Sequence, residues 1–275
     1  MDAILIDLKD YVHSGEGFNG ESFNHRTDPS IMLKLYNASA PIDQVENELA
    51  FSHKVFELGV PTPEPGDFVT DGNGRYGIRF ERIQNKISFS RATGNEPERC
   101  EEFAVRFARL CKQLHSIHVD TTQFPSIKQV DLDGLMSSPF FTDDEKRRTA
   151  RFIENAPDSD TAIHGDLQYS NALMSPKGDF FIDLGSFSYG HPYFDLGQVM
   201  LSCCVSNDAF IRESFHMEPD TAKQFWAFFA AEYFGRDIPL KEINELISPY
   251  VGLMSIMIDR YGNRRFDEFH AYLPK

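Results

Sequence analysis

His164-Gly165-Asp166 is followed by Asn171 and then, across a short apolar segment, by Asp183 in Ile182-Asp183-Leu184-Gly185. Two carboxylates and a side-chain amide at the ends of short apolar runs form an oxygen-rich donor set. Such a set suits a hard cation and leaves one carboxylate to accept a proton from a hydroxyl. The runs 161–163, 172–174 and 180–182 read as small strands, with Pro176-Lys177-Gly178-Asp179 as the turn between the last two. If those two pair as a hairpin, Asp183 returns beside Asp166 and Asn171. Taken singly, each of these residues also fits a turn or a helix cap.

A second group of residues lies near the N-terminus. Gly15, Gly17 and Gly20, with Asn19 among them, spell G-x-G-x-x-G. A dinucleotide-binding turn needs a helix directly after the glycines, whereas Ser22-Phe23-Asn24-His25-Arg26 alternates and breaks at Asp28-Pro29. The pattern is therefore strand, glycine loop, strand. Such a hairpin either covers phosphates with its backbone N–H groups or is an ordinary glycine-rich turn. The next strand, Ile31 to Tyr36, carries one Lys, Lys34, among apolar residues, and a half-buried ammonium needs an anion beside it. Pro41 opens a helix running to about Leu58, where Gly59 stops it. Val45, Glu48, Leu49, Ser52 and Phe56 share one face of it, which makes Glu48 the candidate partner of Lys34. Otherwise Glu48 is a border residue of an ordinary amphipathic helix.

These groups need a scaffold, and the pattern of the chain describes one. A rigid connector, Gly59-Val60-Pro61-Thr62-Pro63-Glu64-Pro65, leads into two strands around Asp71-Gly72-Asn73-Gly74, and the second ends at Phe80 to Asn85. Strands dominate before that point and helices after it, which predicts two lobes, 1–85 and 86–275, with a cleft between them. Pro97 opens a long helix to about His118, on which His115 and His118 read as core or surface histidines, not as a metal pair. Residues 131–141 read as a loop or short turns and 143–155 as a polar helix. Asp195 reads as the N-cap of a helix beginning the apolar run to Val205. Asp220 caps a helix through about Phe234, Pro239 begins another, and Pro249 interrupts the pattern before Val251 to Tyr261. Trp226, Phe228, Phe229, Tyr233 and Phe234 read as core aromatics.

With 275 residues and 41% hydrophobic content the chain can bury a large core. No window approaches the roughly 18 apolar residues of a membrane span, and the N-terminus lacks a signal-peptide pattern, so a cytoplasmic location is expected. Cys100, Cys111, Cys203 and Cys204 have no zinc-like spacing and read as buried thiols. A net charge of −15 argues against nucleic-acid and anionic-membrane partners, whose affinity comes from Lys and Arg on phosphates.

The order of these signals resembles the protein-kinase signature set, and more closely the aminoglycoside phosphotransferase and choline kinase family of small-molecule kinases. His164-Gly165-Asp166 through Asn171 is similar to the family's H-G-D-x-x-x-x-N loop. Ile182-Asp183, then Gly190, Pro192 and Asp195-Leu196, is similar to its I-D-x-x-x-x-G-x-P-x-x-D-L segment, with Leu184 where many members have Trp. The resemblance implies an α+β, bilobal, protein-kinase-like fold, with a small β-rich N-lobe holding one helix and a larger, mostly helical C-lobe. It implies that Asp166 is the base, that Asn171 and Asp183 hold Mg2+, and that His164 supports the loop. Lys34, held by Glu48, would contact the phosphates of ATP. Gly15, Gly17, Asn19 and Gly20 would cover them, and Glu81 to Ile83 would border the adenine. The acceptor would be the hydroxyl of a small molecule: a sugar, an amino alcohol or an aminoglycoside. Eleven residues between Asp183 and Asp195 leave little room for the activation segment of a protein kinase. The acceptor end, 207–275, has 11 acidic and 8 basic residues, which favours a neutral sugar or amino alcohol over a polycation. The rival expectation is a kinase-like nucleotide-binding or regulatory protein that transfers nothing. Oligomeric state is not expressed in the sequence.

Overall fold

The structure is a computed structural model that describes residues 2–17 and 20–274. In chain order its strands are β1 (Ile4–Leu5), β2 (Tyr11–Gly17), β3 (Gly20–His25), β4 (Ile31–Tyr36), β5 (Pro65–Thr70), β6 (Tyr76–Glu81), β7 (Ile87–Ser88), β8 (Ala162–Ile163), β9 (Ala172–Ser175), β10 (Gly178–Phe181) and β11 (Ser188–Tyr189). Its α-helices are α1 (Ile42–Glu57), α2 (Phe89–Asn95), α3 (Cys100–Leu114), α4 (Ile127–Ser137), α5 (Asp143–Asn155), α6 (Tyr193–Met200), α7 (Asp208–Phe215), α8 (Pro219–Phe234), α9 (Leu240–Gly262) and α10 (Asp267–His270). Two compact units result, one of Met1–Lys86 with Leu173–Gly185 and one of Ile87–Ala172 with Ser186–Lys275.

The first unit is built on a six-stranded sheet in the order β1-β5-β6-β4-β3-β2, antiparallel except for the β1/β5 pair. Side chains alternate across β4 as the pleat requires. Leu33 and Leu35 join Ile6, Tyr11 and Val69 in one buried cluster, while Tyr36 joins Val45, Leu49, Phe68 and Ile78 in another. Because Val45 and Leu49 come from α1, that helix covers the face of β4 from which Lys34 and Tyr36 project. The β9–β10 hairpin belongs to this unit: Phe181 N–H donates to Pro61 O at 2.7 Å, and Lys177 Nζ meets Glu81 Oε1 at 2.6 Å.

The second unit is helical. α3 packs on α8, α6 on α9, and α4 on α5 and α9, with Ile127, Leu135, Ile153, Ile163, Phe194 and Tyr250 in a shared core. The short antiparallel pair β8/β11, with Ser188 opposite Ile163, ends immediately before His164 and so delivers the loop that follows. Three local expectations are corrected. Residues 131–137 are not a loop, since α4 runs through Ser137, while 138–141 are the turns expected there. Gly134 of α4 permits a close helix contact, since a Cβ there would lie 2.8 Å from Ile256 Cγ2. Pro249 does not interrupt α9, which is continuous from Leu240 to Gly262. Proline there leaves the Glu245 carbonyl without its helical N–H, and Ser248 Oγ donates to that oxygen at 3.5 Å. The long helix from Pro97 is a 3-10 turn, Pro97–Arg99, followed by α3, which ends at Leu114. Among the described residues no helix is long and apolar enough to cross a membrane.

Candidate active site

In the first unit Lys34 Nζ donates to Glu48 Oε1 at 2.8 Å, both side chains being about a quarter exposed. The strand alternation and the α1 face that put them together are both visible in the sequence. Lys34 Nζ also lies 5.0 Å from the centre of the Tyr36 ring. Tyr36 is fully buried, and its hydroxyl is pushed far above the usual tyrosine range by burial first and then by the negative charges of Glu48 and Asp183. Lys34, Glu48, Tyr36 and Asp183 thus form one neighbourhood. Asp183 has a left-handed backbone with φ 58°, which costs a residue with a Cβ about 1–2 kcal/mol. Strain of this kind collects at functional positions.

The glycine hairpin is the β2/β3 pair, closed by Gly17 opposite Gly20, with a register shift between His13 and Gly15. Ser22 Oγ donates to Gly15 O at 3.3 Å. Gly20 is fixed by close approach, because a Cβ would sit 2.2 Å from Leu35 O. Asn19 lies outside the described residues. At the other end of the sheet, Glu81 and Arg82 donate their N–H groups to Glu64 O (2.8 Å) and Ser30 O (2.7 Å). Ile83 is buried.

In the second unit the loop after β8 is held from within. Gly165 has φ 79° and a Cβ there would fall 1.9 Å from Ser186 O, so only glycine fits. His164 is fully buried and its Nδ1 accepts from Asp166 N–H at 3.2 Å. Asp166 Oδ1 accepts from Gln168 Nε2 at 2.8 Å, and Oδ2 accepts from Asn171 Nδ2 at 3.2 Å. Asn171 Nδ2 also donates to Asp166 O at 3.0 Å, which turns its Oδ1 away from that carboxylate. Asp166 and Asn171 are therefore in contact. Asp183 belongs to the other unit.

The loop is also held from α6, and here the expectation for Asp195 is corrected. The helix starts at Tyr193 with Pro192 as its cap, so Asp195 is inside the first turn and caps nothing. Its carboxylate, fully buried, accepts His164 N–H at 2.7 Å and Gly165 N–H at 2.9 Å. One turn on, Gln198 Oε1 accepts Leu167 N–H and Nε2 donates to Gly165 O at 2.8 Å. Two α6 side chains thus bind the backbone from His164 to Leu167. His115, expected in core or on surface, is core: its Nε2 lies 3.1 Å from Asp195 Oδ2 and its Nδ1 2.7 Å from Tyr233 Oη. His118 is on the surface, 2.6 Å from Asp160. Sequence reasoning missed Gln168, Gln198 and the role of Asp195. The signal was present, since two polar residues within the wholly buried helix Phe194 to Met200 need partners.

Asn171 offers an amide oxygen and Asp183 a carboxylate, each of a donor type that Mg2+ prefers. Among the described residues no group of three or more His, Cys, Asp or Glu is gathered as a metal site.

The fold is that of kinase-like phosphotransferases. A choline/ethanolamine kinase family protein from Mesorhizobium loti superposes with a TM-score of 0.57 at 15% identity, over 95% of this chain and 83% of that one. Amicoumacin kinase hAmiN, in complex with AMP-PNP, Ca2+ and Ami, gives 0.57 at 12% identity over 93% and 81%. An aminoglycoside-3'-phosphotransferase of type VIII gives 0.52 at 18% identity over 82% and 87%. No curated protein sequence matches the chain. Residues 15–229 match the phosphotransferase enzyme family, APH, and the chain belongs to that family. The protein is a phosphotransferase enzyme, as the resemblance in its motifs implies.

Proposed function

We propose that the protein is an ATP-dependent small-molecule kinase that transfers the γ-phosphate to a hydroxyl of a sugar, an amino alcohol or an aminoglycoside. The observation that carries the reading is the Asp166 carboxylate, held by Gln168 and Asn171 in a loop whose backbone is bound by Asp195 and Gln198. A base on a fixed loop is what attack by a hydroxyl requires. Family membership supports phosphoryl transfer, and the similar folds include a choline/ethanolamine kinase family protein and aminoglycoside phosphotransferases.

In this mechanism Asp166 accepts the acceptor's hydroxyl proton as that oxygen bonds to the γ-phosphorus. The bond from the γ-phosphorus to the β,γ-bridging oxygen breaks, and ADP leaves. Lys34, oriented by Glu48, binds the α- and β-phosphates, and the backbone of Gly15, Gly17 and Gly20 covers them. Asn171 and Asp183 would hold Mg2+, which supplies neutralisation of phosphate charge when bound. His164 braces the base through the Asp166 N–H. Adenine would lie along Glu81 to Ile83. The weakly negative C-terminal region favours a neutral sugar or an amino alcohol, and an ATP donor agrees with a cytoplasmic setting.

The test offers purified protein with Mg-ATP to a panel of sugars, amino alcohols and aminoglycosides while ADP release is followed. At least one acceptor should raise release, and Asp166→Asn should lower it by roughly 10²- to 10⁴-fold. If no acceptor raises it and Asp166→Asn binds Mg-ATP like the parent, the protein is a nucleotide binder without transfer activity.

A further inference from the structure

Tyr36 is a buried polar group that the mechanism leaves unused. It ends β4, two residues after Lys34 on the same face, and is paired with Gly20 of the glycine hairpin. Arg75 Nε donates to its carbonyl oxygen at 2.9 Å, which fixes the backbone there. The side chain is fully buried among Val45 and Leu49 of α1 and Phe68 and Ile78 of the sheet, so the ring has no room to turn. Among the described residues Tyr36 Oη has no hydrogen-bond partner. A desolvated donor left unmatched is costly, and most buried polar groups avoid that state. Burial, then the negative charges of Glu48 and Asp183, keep the proton on this hydroxyl, with Glu48 the stronger of the two charges.

The same ring stands 5.0 Å from Lys34 Nζ, and that ammonium donates to Glu48 Oε1 at 2.8 Å. A carboxylate has about four acceptor positions, and Lys34 takes one of them. Glu48 therefore has room for a second donor, and the unmatched donor beside it is the Tyr36 hydroxyl. We propose that Tyr36 is a positioning residue for nucleotide binding: its hydroxyl bonds to Glu48 as Lys34 turns to the phosphates, and so holds the carboxylate that orients the ammonium. In the free protein the ring supports Lys34 over Glu48 while the hydroxyl has no acceptor; in the nucleotide complex the hydroxyl is matched. A ring placed only to fill the core would be phenylalanine, which occupies the same space without burying a donor. The inference rests on the kinase reading above, and it adds that part of the nucleotide affinity comes from a group that never touches the nucleotide.

The test compares the parent with Tyr36→Phe, Glu48→Ala and the double variant, by thermal unfolding and by calorimetric binding of Mg-ADP, which carries both phosphates assigned to Lys34. Tyr36→Phe keeps the ring and removes only the hydroxyl. Without nucleotide it should melt at or above the temperature of the parent, because an unmatched buried donor has gone. Its Kd for Mg-ADP should rise about 10-fold, and the rise in Tm produced by a fixed Mg-ADP concentration should shrink accordingly. In the Glu48→Ala background the same substitution should change Kd by less than about twofold. A free Tyr36→Phe that melts lower than the parent or fails to fold makes the hydroxyl structural and overturns the proposal. An unchanged Kd overturns it too, as does an equal weakening with and without Glu48, which would give the hydroxyl another acceptor. A parent that neither binds Mg-ADP nor melts higher in its presence removes the kinase reading itself, whereas a parent and a Tyr36→Phe that bind it equally well remove only this inference.

Discussion

Replacing Asp195 by Asn alters the loop support with almost no change of shape. The carboxylate receives His164 N–H at 2.7 Å, Gly165 N–H at 2.9 Å and His115 Nε2–H at 3.1 Å. An amide has one oxygen. With that oxygen in the place of Oδ2 it keeps His164 and His115, but its NH2 then faces the Gly165 N–H, which loses its acceptor in a fully buried site. An unsatisfied buried donor costs about 1–3 kcal/mol, and converting two charge-assisted bonds to neutral ones costs roughly 1 kcal/mol each. The sum is about 3–5 kcal/mol, or roughly 10 °C in Tm for a protein of this size. Trp226, the one tryptophan, is buried in the same unit with Nε1 donating to Asn244 Oδ1 at 2.7 Å, so its fluorescence reports unfolding there. Thermal and urea unfolding followed by that signal measure the effect. A Tm within about 2 °C of the parent would refute the claim that both Asp195 oxygens accept from the loop.

Other consequences can be measured separately. Glu48→Gln removes an anion from a partly exposed pair, so stability should change by under about 1 kcal/mol while kcat/KM for ATP falls roughly 10- to 100-fold, as steady-state kinetics and a melting curve will show. Glu145 is held well below the usual carboxylate range, first by its hydrogen bonds to Arg265 at 2.7 and 2.9 Å. A lowered folded-state pKa stabilises above the unfolded value, so Tm should fall as pH drops below the ordinary 4.5, and Glu145→Gln should lessen that acid-dependent loss. Burial raises the thiols of Cys100 to about 11 and Cys204 to about 12, and those of Cys111 and Cys203 well above the ordinary value. All four should resist iodoacetamide at pH 8 in the native protein and react in urea, as mass spectrometry will report.

The positions whose chemistry is local to one element were legible in the sequence. A lone Lys in an apolar strand and a Glu on the apolar stripe of the next helix define the Lys34–Glu48 pair. The loop from His164 to Asn171 declares itself by spacing. Contacts between elements distant in the chain were not legible. An Asp three residues into a helix and an Asp capping it look alike until the helix start is known, which is why Asp195 reads as a cap. Residues 131–141 read as a loop and Pro249 as an interruption because propensity carries no knowledge of a neighbouring helix or of a serine that takes up a freed carbonyl. His115 meets Asp195 and Tyr233, 80 and 118 residues away, so its sequence neighbours alone could not tell a core position from a surface one.

The central claim is transfer of the γ-phosphate to a hydroxyl by the loop that carries Asp166. Phosphorus-31 NMR of Mg-ATP with the enzyme and a small hydroxylated acceptor tests it without a coupling enzyme. A phosphomonoester resonance should grow in step with ADP, and Asp166→Asn should abolish its growth while ATP still binds. ATP that stays intact with every acceptor, or that yields only ADP and inorganic phosphate, would contradict it.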